Sequence, residues 1–263
     1  DIAITPPHKP SYWHSPGIEP MSAMTLGQLV DVAAEQWPKR EAFVSLYQGH
    51  RYTFAELREK TDILAAGLTQ LGLSPGDRVG IWGPNSSEWY LSRLAAARGG
   101  FIAVQIDPLY QPPQLLHALT KVGAKALICP GDSFYLRLRA IIPELDSYPE
   151  SGVEIKSDKI PSIKFLIIFS DKKYRGAYSF GDIMSSASPD SVQKIRDLQT
   201  LIDPDDGTCI LFSSNHRLVV PVLFCHMSGS MCGIFTLRYG HTLVVVSAAF
   251  DTKKMLEAVI EVG

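Results

Sequence analysis

A chain of 263 residues, 46% hydrophobic and 20% charged, has the length of one large domain or roughly one and a half ordinary ones. Its net charge of −2 leaves no basic excess, so the sequence predicts no nucleic-acid partner. No apolar stretch approaches the roughly 18 residues of a membrane span, so it predicts no transmembrane segment.

The start is rich in proline and histidine (TPPHKPSYWHSPGIEP) and reads as an extended segment over residues 1–20. The chain begins at Asp1 rather than methionine, which suggests a processed or trimmed product whose targeting peptide is out of view. Periodic structure follows at once. Thr25-Leu26-Gly27-Gln28 is a capping box, and Leu26, Leu29, Val30, Ala33 and Trp37 make one helical stripe. A second box, Thr53 to Glu56, opens a helix with Leu57, Leu64, Leu68 and Leu71 on one face, stopping at Gly72. A third, Asn85 to Glu88, opens a helix ending at Gly99-Gly100; a fourth helix runs from Gln114 to Val122 and closes at Gly123.

Short apolar strands lie between and after these helices at 42–46, 79–82, 102–106, 126–129 and 165–169. Apolar runs alternating with amphipathic helices predict an α/β fold, a parallel sheet flanked by helices. Residues 147–162 and 170–200 are more polar and read as surface excursions, with one short helix near Val192. Cys209–Phe212 and Leu218–Val222 read as buried strands, followed by a helix at 227–237, a strand at 242–246 and a helical stripe of Met255, Leu256, Val259 and Ile260. The expected organisation is a first α/β subdomain over 21–204 and part of a second over 205–263.

Chemistry is sparse. There is no G-x-G-x-x-G, no G-x-x-x-x-G-K-[ST] and no G-x-S-x-G elbow. Gly83 to Ser87 could present a helix N-terminus to an anion or simply be a capped turn. His117 reads as a packed or surface histidine, and Asp205-Asp206 as the end of a loop. Three of the four cysteines, Cys129, Cys209, Cys225 and Cys232, lie in or beside apolar runs. None forms a C-x-x-C pair, which favours buried reduced thiols over disulfides or zinc. His226 stands after a strand and before the small residues Ser228, Gly229, Ser230 and Gly233. Such residues let a helix approach a ligand or another helix closely.

The order of several segments carries a resemblance. They are Tyr52-Thr53-Phe54-Ala55-Glu56-Leu57, Gly76-Asp77-Arg78-Val79, Trp82-Gly83-Pro84-Asn85, DDGTCILFSS, Pro221 to Gly229, and Tyr239 to Val244. Together they resemble the amino-terminal domain of acyl-CoA synthetases in the adenylate-forming superfamily, most of all the mitochondrial medium-chain type. The resemblance implies ATP, Mg2+ and coenzyme A as the complete enzyme's cofactors, a fatty acid as its substrate, and the mitochondrial matrix as its location. It implies that Ser213 and Ser214 are the remnant of a phosphate-binding loop whose glycines, lysine and following helix are missing before Asn215. It further implies that His226, Ser228, Gly229 and Gly233 line the acyl side of the site. No catalytic residue and no metal ligand maps onto this chain, so no cofactor is expected to bind it tightly. Two alternatives stay open: a truncated relative acting only as a binding protein, and a luciferase-like adenylate-forming oxygenase.

Overall fold

The computed structural model describes residues 22–212 and 227–245. The first half contains α1 (Leu26–Gln36), β1 (Glu41–Ser45), β2 (His50–Thr53), α2 (Phe54–Leu71), β3 (Arg78–Trp82), α3 (Ser87–Arg98) and β4 (Ile102–Ile106). Then come α4 (Pro112–Val122), β5 (Ala126–Pro130), α5 (Ser133–Ile141), a 3-10 turn (Pro143–Ser147) and β6 (Phe165–Phe169). The remainder is β7 (Ala177–Ser179), α6 (Phe180–Ser186), α7 (Pro189–Leu198), β8 (Cys209–Leu211), α8 (Met227–Tyr239) and β9 (Leu243–Val245).

Six strands form a parallel sheet in the order β7-β6-β5-β3-β4-β8. Two-sided burial explains the apolar character of the central strands β3, β5 and β6. Val79 and Ile81, Ala126 and Ile128, and Phe165 and Ile167 point into a core shared with α1, α2, α3, α6 and α7. Their neighbours Leu127, Cys129, Leu166 and Ile168 join a second core under α4 and α5. The fold class expected from sequence is therefore the one observed. At ~25 cal/mol per Å2, each fully buried Leu or Ile contributes about 2 kcal/mol.

The strand at 42–46 is a correction. β1 lies outside the main sheet, pairing antiparallel with β2 and parallel with β9. β2 (His-Arg-Tyr-Thr) is too polar to announce itself as a strand, and the β1–β9 pairing joins segments some two hundred residues apart. Two strands from the segment expected to begin a second subdomain thus pair here with early strands, β8 with β4 and β9 with β1.

The polar stretch 170–200 is a second correction, since it contains β7, α6 and α7 rather than one short helix. Its missed signals are local: Ser179 accepts from the Asp182 amide, and Ser188 caps α7 with Pro189 in the first turn. Phe180 and Ile183 of α6 are buried, so the segment is part of the core. α5 was likewise not expected, because its N-cap Asp132 makes no side-chain capping bond and has φ +49. The third capping signal shifts by one residue, with Ser86 rather than Asn85 as the N-cap of α3.

The boxes at α1 and α2 form as read. At α2, the Thr53 amide donates to Glu56 Oε2 (2.8 Å) and the Glu56 amide donates to Thr53 Oγ1 (3.2 Å). The backbone bond, then the Thr53 hydroxyl, holds the Glu56 carboxyl below its ordinary value. A depressed folded pKa gives stability that is present above the unfolded value and fades as pH falls through the folded one. We expect Thr53→Ala to cost about 1 kcal/mol. It should raise the Glu56 pKa only part of the way, because the backbone donor remains; urea melts and an NMR titration of Glu56 check both.

Candidate functional site

Parallel sheets of this kind offer ligands the carboxyl ends of their strands, above all where the strand order reverses. Here β3 leads to β4 on one side and the chain then returns to place β5 on the other, so the reversal lies between β3 and β5.

At one edge of the sheet β8 ends at Leu211, and Phe212 leads on to Ser213 and Ser214. Beside it, the loop after β4 is held by Arg137 of α5, whose Nη1 donates to the carbonyls of Pro108 and Tyr110, each at 3.0 Å. The Arg137 guanidinium lies 4.7 Å from the Trp82 ring centroid and 4.4 Å from that of Phe134, a stack that favours arginine over lysine. Trp82 Nε1 adds a bond to the Asp107 carbonyl (3.1 Å). The fixed loop sets Tyr110 against Phe212, centroids 6.5 Å apart, and a groove of about 330 Å3 opens between them and α4. His117 lines this groove and is exposed, as a surface histidine would be.

A second and larger opening, of about 530 Å3, lies where the strand order reverses. Its walls come from the β1–β2 turn, the loop after β3, the start of α3, the ends of β5, β6 and β7, the loop after β6 and the start of α6. The Gly83 to Ser87 turn borders it and is a capped turn. Ser86 Oγ accepts from the Trp89 amide (3.1 Å), and the Ser87 amide donates to Gln48 Oε1 (2.9 Å). The β1–β2 hairpin thus occupies one donor, the Ser87 amide, that an anion would need.

Of the residues singled out by resemblance, Ser213, Ser214 and His226 lie outside the described residues. Ser228 and Gly229 fall in the first turn of α8. Gly233 packs against Tyr90 of α3, where a Cβ would meet the ring at 3.0 Å. Thr236 Oγ1 donates to the Gly233 carbonyl (2.8 Å), and burial pushes the Tyr90 hydroxyl up to about 12. Asp205 and Asp206 are exposed in the loop before β8.

Among the described cysteines only Cys129 is buried; Cys209 is half-buried and Cys232 exposed, and all three are free thiols. The expectation of buried thiols therefore fails for Cys232, which sits on the outer face of α8. Among the described residues no group of three or more His, Cys, Asp or Glu could hold a metal ion. No described helix is long and apolar enough to cross a membrane. The Trp82–Phe134–Arg137 stack had no sequence signal, because two separate elements, β3 and α5, supply it.

Comparison with known proteins places this geometry. The family model described as AMP-binding enzyme matches residues 30–215. The mitochondrial medium-chain acyl-CoA ligase ACSF2 of Danio rerio is 31% identical over 95% of this chain and 47% of its own length. Its Homo sapiens counterpart is 32% identical over 91% of this chain and 45% of its own. The chain thus spans about half the length of the curated relatives it matches. The crystal structure of the N-terminal domain of FACL13 from Mycobacterium tuberculosis superposes with a TM-score of 0.67 at 21% identity, covering 90% of this chain and 60% of that one.

Proposed function

The chain belongs to the AMP-binding enzyme family, and on that premise we propose that it is the amino-terminal part of an ATP-dependent fatty acid–CoA ligase. The observation that carries this is the similarity to medium-chain acyl-CoA ligases across more than nine-tenths of the chain. In the complete protein, a medium- or long-chain carboxylate attacks the α-phosphorus of ATP. The bond to pyrophosphate breaks and an acyl-adenylate forms. The deprotonated thiol of coenzyme A then attacks the acyl carbonyl, and AMP departs. Mg2+ would accompany the ATP phosphates, which need only one or two protein carboxylates to share it.

What the protein supplies in such a reaction is positioning and charge compensation. In this reading Ser213 and Ser214, following β8, are hydroxyl donors to phosphate, while Arg137 steadies the adjoining β4–α4 loop. His226, Ser228, Gly229 and Gly233 line the acyl side, with Gly233 allowing α8 to lie close on Tyr90. The location proposed with this reading is the mitochondrion, that of the similar ACSF2 ligases.

Polyphosphate binding needs glycine amides for close approach and a cation to offset charge. Asn215-His216-Arg217 provides one permanent cation and no glycine. We therefore expect the 263-residue chain to hold neither ATP nor coenzyme A tightly and to form no acyl-adenylate. ATP–pyrophosphate exchange with hexanoate through dodecanoate is the measurement. Exchange clearly above the protein-free blank would overturn the inactivity of this chain, and the acids that support it would report chain-length preference.

A further inference from the structure

We propose that the opening at the strand-order reversal of the six-stranded sheet binds a small organic cation, an ammonium group on an apolar frame. This site goes beyond the ligase reading, since neither β4 nor β8 contributes a residue to it. Its volume of about 530 Å3 is broadly open to solvent, so it offers a small ligand a lined face rather than an enclosure.

Its chemistry is one-sided. Tyr47, Phe169 and Phe180 give it aromatic walls, and Glu88 and Asp171 bring two carboxylates. No Lys, Arg or His lines it, and among the described residues neither carboxylate forms an ion pair. Lys172, next in sequence to Asp171, is engaged elsewhere, with its ammonium 2.7 Å from Asp132 Oδ1.

Glu88 is also oriented. Gln48 Nε2 donates to its Oε2 (2.8 Å), and Gln48 Oε1 is held by Ser45 Oγ (2.8 Å) and the Ser87 amide (2.9 Å). The Tyr47 hydroxyl, which donates to the Asn85 carbonyl, is pushed up to about 12 by burial and then by Glu88. An anion entering this space would meet two carboxylates with no lining cation to offset them, and a neutral guest would gain nothing from either charge. A cation gains from the carboxylates and from the ring faces together.

The test uses the whole chain with choline and its neutral carbon isostere, 3,3-dimethylbutan-1-ol, followed by calorimetry and by NMR of the Tyr47 and Phe169 rings. Choline should shift both rings saturably and bind roughly tenfold more tightly than the alcohol. Glu88→Gln and Asp171→Asn, which keep side-chain shape, should each weaken choline by roughly fivefold and leave the alcohol unchanged. The proposal is overturned if choline causes no saturable shift up to about 50 mM. It is overturned equally if the alcohol binds as well, or if both variants bind choline like the parent chain.

Discussion

Asp62→Ala should lower the stability of this chain by about 4 kcal/mol, because it takes the one fully buried carboxylate partner from a buried guanidinium. Arg98, at the end of α3, is fully buried, and its Nε donates to Asp62 Oδ1 at 2.7 Å. Asp62 is itself fully buried and takes a second bond on Oδ2 from Arg196 Nε of α7 (2.9 Å). Arg98 Nη1 reaches Asp31 of α1 (2.5 Å) and the Gly27 carbonyl (2.9 Å). One carboxylate on α2 thereby ties α3 and α7 together. Asp31→Ala should cost far less, about 1 kcal/mol, since that carboxylate is partly exposed. Replacing the pair together, Asp62→Leu with Arg98→Met, should recover most of the loss, because removing both charges removes the desolvation penalty. Urea denaturation of the three variants decides the matter. If Asp62→Ala and Asp31→Ala cost the same, burial is not the cause.

Gly67→Ala is the second large effect and runs against helix propensity. In the middle of a helix alanine is favoured over glycine by about 1 kcal/mol. A Cβ on Gly67 of α2, however, would lie 2.1 Å from the Ile183 carbonyl oxygen and 2.9 Å from its carbon, both backbone atoms of α6. Backbone cannot rotate aside as a side chain can, so α6 must shift away from α2. Overpacking of this kind costs about 1–3 kcal/mol, and here it must also cancel the propensity gain. We expect a net loss of about 2 kcal/mol in urea melts. Gly181→Ala in α6 is the control: its Cβ would meet only Ser179 Oγ at 3.6 Å, an ordinary contact, so stability should hold or rise. A stabilised Gly67→Ala would show that the two helices do not meet as described.

Both effects arise from contacts between elements, and that is where sequence reasoning stopped. The starts of α1 and α2 were legible because Thr25 with Gln28, and Thr53 with Glu56, complete their bonds within three residues. The stops at Gly72 and Gly123 were legible because each takes a left-handed conformation, φ +116 and +64, that glycine adopts without strain. Apolar runs named five strands of the main sheet, all but β7, since both faces of β3, β5 and β6 are buried. Family membership was readable too, from several short segments in one order. The proposed acyl-side and phosphate residues rest on that resemblance alone.

What only the tertiary structure decided are pairings between distant positions. Nothing near Glu41 in the chain says that β1 will leave the main sheet and take β9 as its parallel neighbour. Nothing near Asp62 says that an acid inside a helix will be buried, since its partners Arg98 and Arg196 lie 36 and 134 residues away. Arg137 likewise shows its role only once α5 has packed beside Trp82 and the loop after β4. The switch-point opening draws its aromatic and acidic walls from elements between Tyr47 and Phe180. Local bonds are written in neighbouring residues, whereas a cleft and a buried charge acquire their partners only when packing brings separate elements together.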